Sequence, residues 1–466
     1  MSIRVSCIVA LAWLLIGPAS AQTLGGDAEA PATAGSAPEL GQSDLLAPDR
    51  TTLLGDAGAI RPGLAARGVT VGLQTVFEVF GNPIGGIKRG ASGDGLTLLT
   101  VSVDTAKAMG LPGGTIFASG LWTYGGNYAQ GYLGSLQTNS NNYGLPSVRL
   151  WELYYQQSFL GGRGDVKIGQ QSVDQDFMVS QASLLFLNPS TGWPAIPSID
   201  MYGGSPVFPL ASLGVRARAQ ATDKVTLLAG VYDDNPPGGP FFNDPQILGS
   251  ERYGVRFNLG TGALMLGEVQ YAFSAAPSGS GAKALPGAYK LGAWLDTAKF
   301  PDPAAGTGPG GTQRYHWHDY SVYAVADQTV LSSAGATALT LFTRPMVAPS
   351  DRNLVDFSID SGFTVTAPFP GRRADSFGMA LDIANVSNRA NFQASGSAPF
   401  AGVYRPLRGA ETMLEVTYQA QIRPWFTVQP DLLYVWMPSG GIANPLIPGV
   451  RIGNELVFGV RTTITF

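Results

Sequence analysis

The closing stretch of the chain, Glu455 to Phe466, limits the folds open to it more than any other feature. Leu456, Phe458, Val460, Ile464 and Phe466 share one parity, while Glu455, Arg461, Thr463 and Thr465 share the other. Alternation with a period of two places one set on each face of a β-strand. A bare hydrocarbon face opposite a charged one suits a wall between water and lipid, and it also suits the edge strand of a soluble sandwich. Recurrence separates the two. Leu414, Val416, Tyr418, Ala420 and Ile422 alternate with Glu411, Glu415, Thr417, Gln419 and Gln421. Phe426, Val428, Leu432, Tyr434 and Trp436 alternate with Thr427, Gln429 and Asp431, and Leu213, Val215, Ala217 and Ala219 with Arg216, Arg218 and Gln220. Such segments run to about 9 to 13 residues, long enough to cross a bilayer when tilted and longer than the strands usual in globular proteins.

The amino terminus points to export. Arg4 gives a positive start, Cys7 to Ile16 is apolar, and Ala19-Ser20-Ala21 is a small-residue cleavage signal, so residues 1–21 read as a secretory signal peptide. Cys7 is the one cysteine and leaves with it, so the mature chain is expected to hold no disulfide and no Cys-ligated metal. Loss of Arg4 takes the formal net charge from -4 to -5 with no basic block, which argues against nucleic acid as a partner. With 45% hydrophobic and 13% charged residues, the chain is too apolar and too poorly charged for a typical cytosolic enzyme. No segment after the signal has the run of about 18 apolar residues that a spanning helix needs. An exported chain that hides its apolarity by alternation fits a closed barrel, since in lipid only helices and barrels satisfy every backbone group.

Residues 22–50 form an Ala/Gly/Pro/Ser-rich lead of the kind that stays disordered in the periplasm. Residues 51–68 are expected to hold a short helix around Ile60 and Leu64, with Asp56 as its cap. From residue 69 to 466 the chain reads as an all-β transmembrane antiparallel up-and-down barrel in the outer membrane. Seventeen strand candidates appear, and a closed barrel with both ends periplasmic needs an even number. Short links at Leu160 to Gly164, Ala221 to Lys224, Thr261 to Gly262 and the Arg423 corner fall on the periplasmic side. Long links at Gly125 to Ser147, Val173 to Ala211, Asp234 to Ser250, Ser387 to Gly409 and Pro438 to Arg451 fall outside. Counts from the two ends disagree between Ser274 and Tyr315. Sixteen strands is the expectation, with eighteen as the alternative.

Several runs resemble the OprB-type carbohydrate-selective porins. They are Leu53-Leu54-Gly55-Asp56 with Ile60-Arg61-Pro62, then Arg149-Leu150-Trp151-Glu152-Leu153-Tyr154-Tyr155, Lys167 to Ser172 and Phe186-Leu187-Asn188-Pro189. The end resembles them too, in Tyr418-Gln419-Ala420-Gln421, Pro424-Trp425, Val428-Gln429-Pro430-Asp431 and Arg461 to Phe466. The resemblance implies a sixteen-stranded outer-membrane barrel of a Gram-negative bacterium that passes sugars inward.

Catalytic and cofactor motifs are weak. Gly306, Gly308 and Gly311 match a dinucleotide loop in spacing, but they lie among prolines with no strand before them or helix after. His316 and His318 flank Trp317 and are the only histidines, a poor basis for zinc or for a serine hydrolase. No catalytic residue, metal or cofactor is expected, and an outer-membrane hydrolase is the weakest reading. A lumen remains. Carboxylates at Glu78, Glu152, Asp174, Glu268, Asp382 and Glu415 and bases at Arg149, Arg216, Arg218, Arg252 and Arg256 are placed to line it. Arg216 and Arg218 share a face about 6.5 to 7 Å apart. With Glu152, Gln171 and Asp174 they are expected to form a constriction whose guanidinium forks meet vicinal hydroxyls of a sugar. Trp122, Trp151 and Trp294 are candidate stacking platforms, with Trp151, on the apolar parity, assigned to the membrane-interface belt. The link from Val173 to Ala211 is expected to fold into the bore. Two readings stay open, a sugar-preferring porin and a general diffusion porin, as does the choice between a monomer and a homo-oligomer.

Overall fold

A computed structural model describes residues 50–126, 128–241, 253–275, 285–304, 312–333, 337–391, 406–447 and 449–466. The expected signal peptide, nearly all of the lead, Arg252 and the Gly306–Gly311 motif lie outside these described residues. The chain forms a closed barrel of sixteen strands. The first quarter comprises β1 (Val69–Gly86), β2 (Gly90–Asp104), β3 (Gly114–Gly125) and β4 (Ser147–Phe159). Next come β5 (Gly164–Gln171), β6 (Ser212–Gln220), β7 (Val225–Asp233) and β8 (Ala263–Ala275). The third quarter holds β9 (Leu285–Pro301), β10 (Tyr315–Ser332), β11 (Ala338–Val347) and β12 (Val355–Thr366). The barrel ends with β13 (Ser376–Val386), β14 (Ala410–Arg423), β15 (Phe426–Trp436) and β16 (Gly453–Thr465). Each strand pairs antiparallel with its sequence neighbours, and β1 closes on β16 with Glu78 opposite Arg461 and Val79 opposite Val460. Closure removes the unpaired edge that an open sheet would leave in lipid.

The expected two-faced wall is present. Phe458 and Val460 are exposed on the outer face of β16, while Glu455 and Val457, on the other parity, are fully buried on the inner one. Val215 is likewise outward and Arg216 inward on β6. The sixteen-strand expectation holds, but the surplus candidate was not between Ser274 and Tyr315. It lay between Ser250 and Thr261: β7 and β8 are consecutive strands, and Tyr253 to Gly262 run as turn and irregular chain between them. Tyr253, Val255, Phe257 and Leu259 do alternate and are exposed, so the period-two signal was real. The segment rests instead on β4, where the Leu150 amide donates to the Tyr253 carbonyl at 3.0 Å.

The short helix is α1 (Ile60–Ala66). Asp56 is not its cap. The helix starts after Ala59, whose φ of 69° is left-handed and whose side chain caps nothing. Segment 50–68 is tied to the end of the barrel by the Leu53 amide, which donates to the Thr465 carbonyl at 2.8 Å.

The link between β5 and β6 turns inward. It carries α2 (Pro189–Gly192) and α3 (Ala195–Asp200), short helices interrupted by turns. Its Val173, Phe177, Met178, Trp193, Ile196 and Met201 join Leu228, Tyr232, Leu266, Trp294 and Tyr323 of the wall in one buried apolar cluster. The loop packs most heavily on β7–β13, and its Leu187 also joins Phe80, Met413, Leu433, Val435 and Val457 of β1 and β14–β16 in a second buried cluster.

Candidate functional site

The inward loop is fixed by wall carboxylates that accept hydrogen bonds from its backbone. Glu152 accepts from the Ser172 amide at 3.0 Å and Glu268 from the Met178 amide at 2.9 Å. Asp327 takes the Gln181 amide at 2.9 Å, and Glu415 takes the amides of Leu187 at 2.6 Å and Asn188 at 3.1 Å. Arg344 supplies the complement, donating to the carbonyls of Met178, Ser190 and Gly192 while paired with Asp360. Hydrogen bonds to charged groups are worth about 1.5–3 kcal/mol each, so the set makes the loop part of the wall. Glu268 and Glu415, expected as lumen charges, serve instead as loop anchors. The β3–β4 link is held similarly, with Glu411 accepting from the amides of Leu136 and Gln137 at 2.8 and 2.7 Å.

Beside the loop runs a bore cavity of about 2310 Å³, lined from Asp302 and Arg352 at the external mouth to Thr465 and Trp425 at the periplasmic end. It carries charge on two sides, extending on β5 and β6 to the periplasmic turn, where Arg218 donates to the Gly162 carbonyl at 3.1 Å. On β5 and β6, fully buried Asp165 pairs with both Arg216 and Arg218, the latter at 2.5 Å. Asp176, from the loop, pairs with Lys167 at 2.6 Å and with Arg216 at 3.1 Å. On the β16–β1 side, Arg461 pairs with Glu78 and donates to Asn141 at 2.6 Å. Lys290 reaches the bore from β9 and donates to the Val179 carbonyl at 2.6 Å.

Of the expected constriction residues, Arg216, Arg218, Glu152 and Asp174 all line this cavity. They are not equivalent. Arg216 spends its guanidinium on Asp165 and Asp176 and is buried, whereas Arg218 keeps a quarter of its side chain exposed (26%). Asp174 accepts from the Ser172 hydroxyl at 2.5 Å. Gln171 is fully buried in the wall, where its amide donates to the Gly214 carbonyl at 2.9 Å, and it does not reach the cavity lining.

Trp122 stands as a correction. It is 51% exposed on the outer face of β3 and tilts against Tyr124 there, with ring centroids 5.3 Å apart. Inward Leu121 and Thr123 flank it, so strand alternation sends it to the lipid interface, where an indole is at home. Trp151 errs the other way. A register shift between β3 and β4 at Ser119 and Gly120 inserts an extra residue at Trp151. The bulge resets the parity, so that Arg149, Trp151 and Glu152 are all buried inside. Trp151 donates to the Leu210 carbonyl at 3.0 Å and meets Phe208 edge-on. Trp294 is inside but covered by the inward loop. Asp165, Lys167 and Asp176 went unnoticed in the sequence. Asp165 and Lys167 share a parity, and in register they oppose Arg218 and Arg216, but some forty residues of loop separate the strands and hide that register.

Comparison with known proteins settles the family. The model of the carbohydrate-selective porin, OprB family, matches residues 88–466. The chain belongs to the OprB family. It is an outer-membrane porin, and the family's function is the passage of carbohydrates. Porin B of Pseudomonas aeruginosa is 26% identical over 443 residues, covering 88% of this chain and 92% of that relative. The high-pH structure of Pseudomonas putida OprB superposes with a TM-score of 0.78 at 21% identity, covering 90% of this chain and 99% of that one. The low-pH structure of the same protein gives 0.54 at 18% identity, covering 90% and 100%. Both share the barrel fold.

Proposed function

We propose that this OprB-family barrel lets neutral sugars diffuse passively into the periplasm and sorts them at its charged bore groups without covalent chemistry. The observation that carries the reading is the pairing of an anchored inward loop with charged groups on both sides of the remaining opening. A sugar squeezed past such groups exchanges water for donors on Arg218, Lys290 and Arg461 and for acceptors on Glu152, Asp174 and Asp176. Arg218 is the strongest donor candidate: its Nε donates to Asp165 and its Nη2 to the Gly162 carbonyl, which leaves Nη1 for a solute. Arg216 supports the site at one remove, holding Asp165 and Asp176 in place.

A general diffusion porin is the second reading, favoured by the mutual neutralisation of Arg216, Asp165 and Asp176. Planar-bilayer conductance in KCl with rising glucose separates the two. A saturable fall in current supports sugar preference, while a fall that merely tracks solution viscosity supports the second reading.

A further inference from the structure

Toward the periplasmic ends of several strands the inward face passes from charge to neutral amides and hydroxyls, and on β4 the change comes early, at Gln156 in register with Lys167 of the charged group. On β1, Glu78 gives way to Val76 and then Gln74 toward the periplasm; on β4, Glu152 gives way to Tyr154 and Gln156. On β6 the order is Arg216, Arg218, Gln220, and on β16 it is Arg461, Thr463, Thr465. On β14 it is Glu415, Thr417, Gln419, Gln421. Gln74, Gln156, Gln220, Gln419, Thr463 and Thr465 all line the bore cavity. Their amides and hydroxyls thus face the passage itself. Gln74, Gln156 and Gln220 are half-buried, and their side-chain amides hydrogen-bond to no other described residue.

We propose that this collar of neutral amides and hydroxyls, adjoining the charged group at Gln156 and Gln220 and reaching to Gln74 and Thr465, is a second contact zone for neutral polyhydroxylated solutes. The inference rests on reading the channel as sugar-preferring. A Gln side chain offers two donors and an acceptor on a rotatable stem, and a sugar hydroxyl both donates and accepts. A sugar leaving the constriction can therefore hand its hydrogen bonds to the collar one at a time. An ion gains far less, because neutral dipoles replace the full charges it has just passed. The collar thus holds sugars in the periplasmic half of the bore without holding ions.

The test is planar-bilayer recording of the full-length protein in KCl, with glucose added to one side at a time. Met keeps the length of Gln and removes its hydrogen bonds, so the variant is Gln74→Met, Gln156→Met and Gln220→Met together. Loss of about one neutral hydrogen bond predicts an approximately fivefold rise in the glucose concentration that half-blocks the current from the periplasmic side. Sugar-free KCl conductance is expected to stay within about twofold, since no charge has changed. Gln419→Met alone, on the opposite wall, is expected to shift block in the same direction and serves if the triple variant fails to assemble. Periplasmic-side block equal to the wild type in a conducting variant overturns the collar alone. Absence of saturable block in the wild type itself overturns the sugar-preferring reading and the collar with it.

Discussion

Arg344 and Asp360 pair at 2.9 Å across β11 and β12, both almost completely buried beneath the inward loop. The same guanidinium holds the loop by three backbone carbonyls, among them Met178 at 2.8 Å and Gly192 at 3.1 Å. The pair is thus both part of the wall and the clamp that sets how far the loop projects. Arg344→Ala removes the clamp and strands a buried carboxylate, a change that costs about 3–5 kcal/mol in such settings. The expected result is a larger and noisier single-channel conductance, with unfolding of the barrel at lower temperature on a heat-modified gel. Wild-type conductance and unfolding temperature in the variant would show that the apolar cluster alone holds the loop.

The two faces of β16 predict opposite tolerances. Phe458→Arg or Val460→Arg places a charge on the exposed outer face and is expected to impair assembly, at a cost of about 2–4 kcal/mol near the midplane. Thr463→Arg, on the inner parity, is expected to assemble normally and to change ion selectivity instead. Yield of folded barrel in outer-membrane extracts measures the first, and reversal potential under a salt gradient the second. Equal loss at all three positions would mean the strand does not separate water from lipid.

At the external mouth, Arg389 grips Asp302 through two hydrogen bonds, at 3.0 and 2.7 Å. These bonds hold the carboxyl down, from its ordinary 3.8 to about 2. His316 Nε2 lies 3.4 Å from the same carboxylate. Because the folded pKa is depressed, the tie between the two loops is complete above pH 3.8 and is lost only as pH falls through about 2. Gating noise attributable to these loops is therefore expected to be flat from about pH 4 to pH 8 and to rise only on strong acidification. Asp302→Asn is expected to show that noise already at neutral pH. A noise transition between about pH 5 and pH 7 in the wild type would assign the control to another group.

Much of the barrel was legible because its signals are local. Alternation on β6, β14, β15 and β16 needs only neighbouring residues, and the outward Val215 and inward Arg216 follow from it directly. The failures mark places where a distant partner decides. Tyr253 to Leu259 alternate like a strand, yet short β5, β6 and β7 leave that segment to lean on β4 rather than cross the membrane. Trp151 changed face because one bulge, set by pairing with β3, shifted the parity within its own strand. The constriction was half visible for the same reason. Arg216 and Arg218 announce themselves, but the carboxylate that joins them, Asp165, and the loop carboxylate Asp176 come from beyond a local view. Trp122 was misplaced by chemistry rather than parity, since an indole suits both a sugar and a membrane interface.

The sharpest check on the account is the glucose concentration that half-blocks KCl current in Arg218→Ala compared with the wild type. Arg218 is the bore guanidinium of the Asp165 network with the larger exposed share, and its loss leaves the Arg216 contacts with Asp165 and Asp176 in place. A charge-assisted hydrogen bond to the sugar predicts a rise of about tenfold or more, accompanied by higher sugar-free conductance as the bore widens. Saturable block at the wild-type concentration, in a variant whose conductance has risen, would contradict the assignment of sugar preference to this constriction.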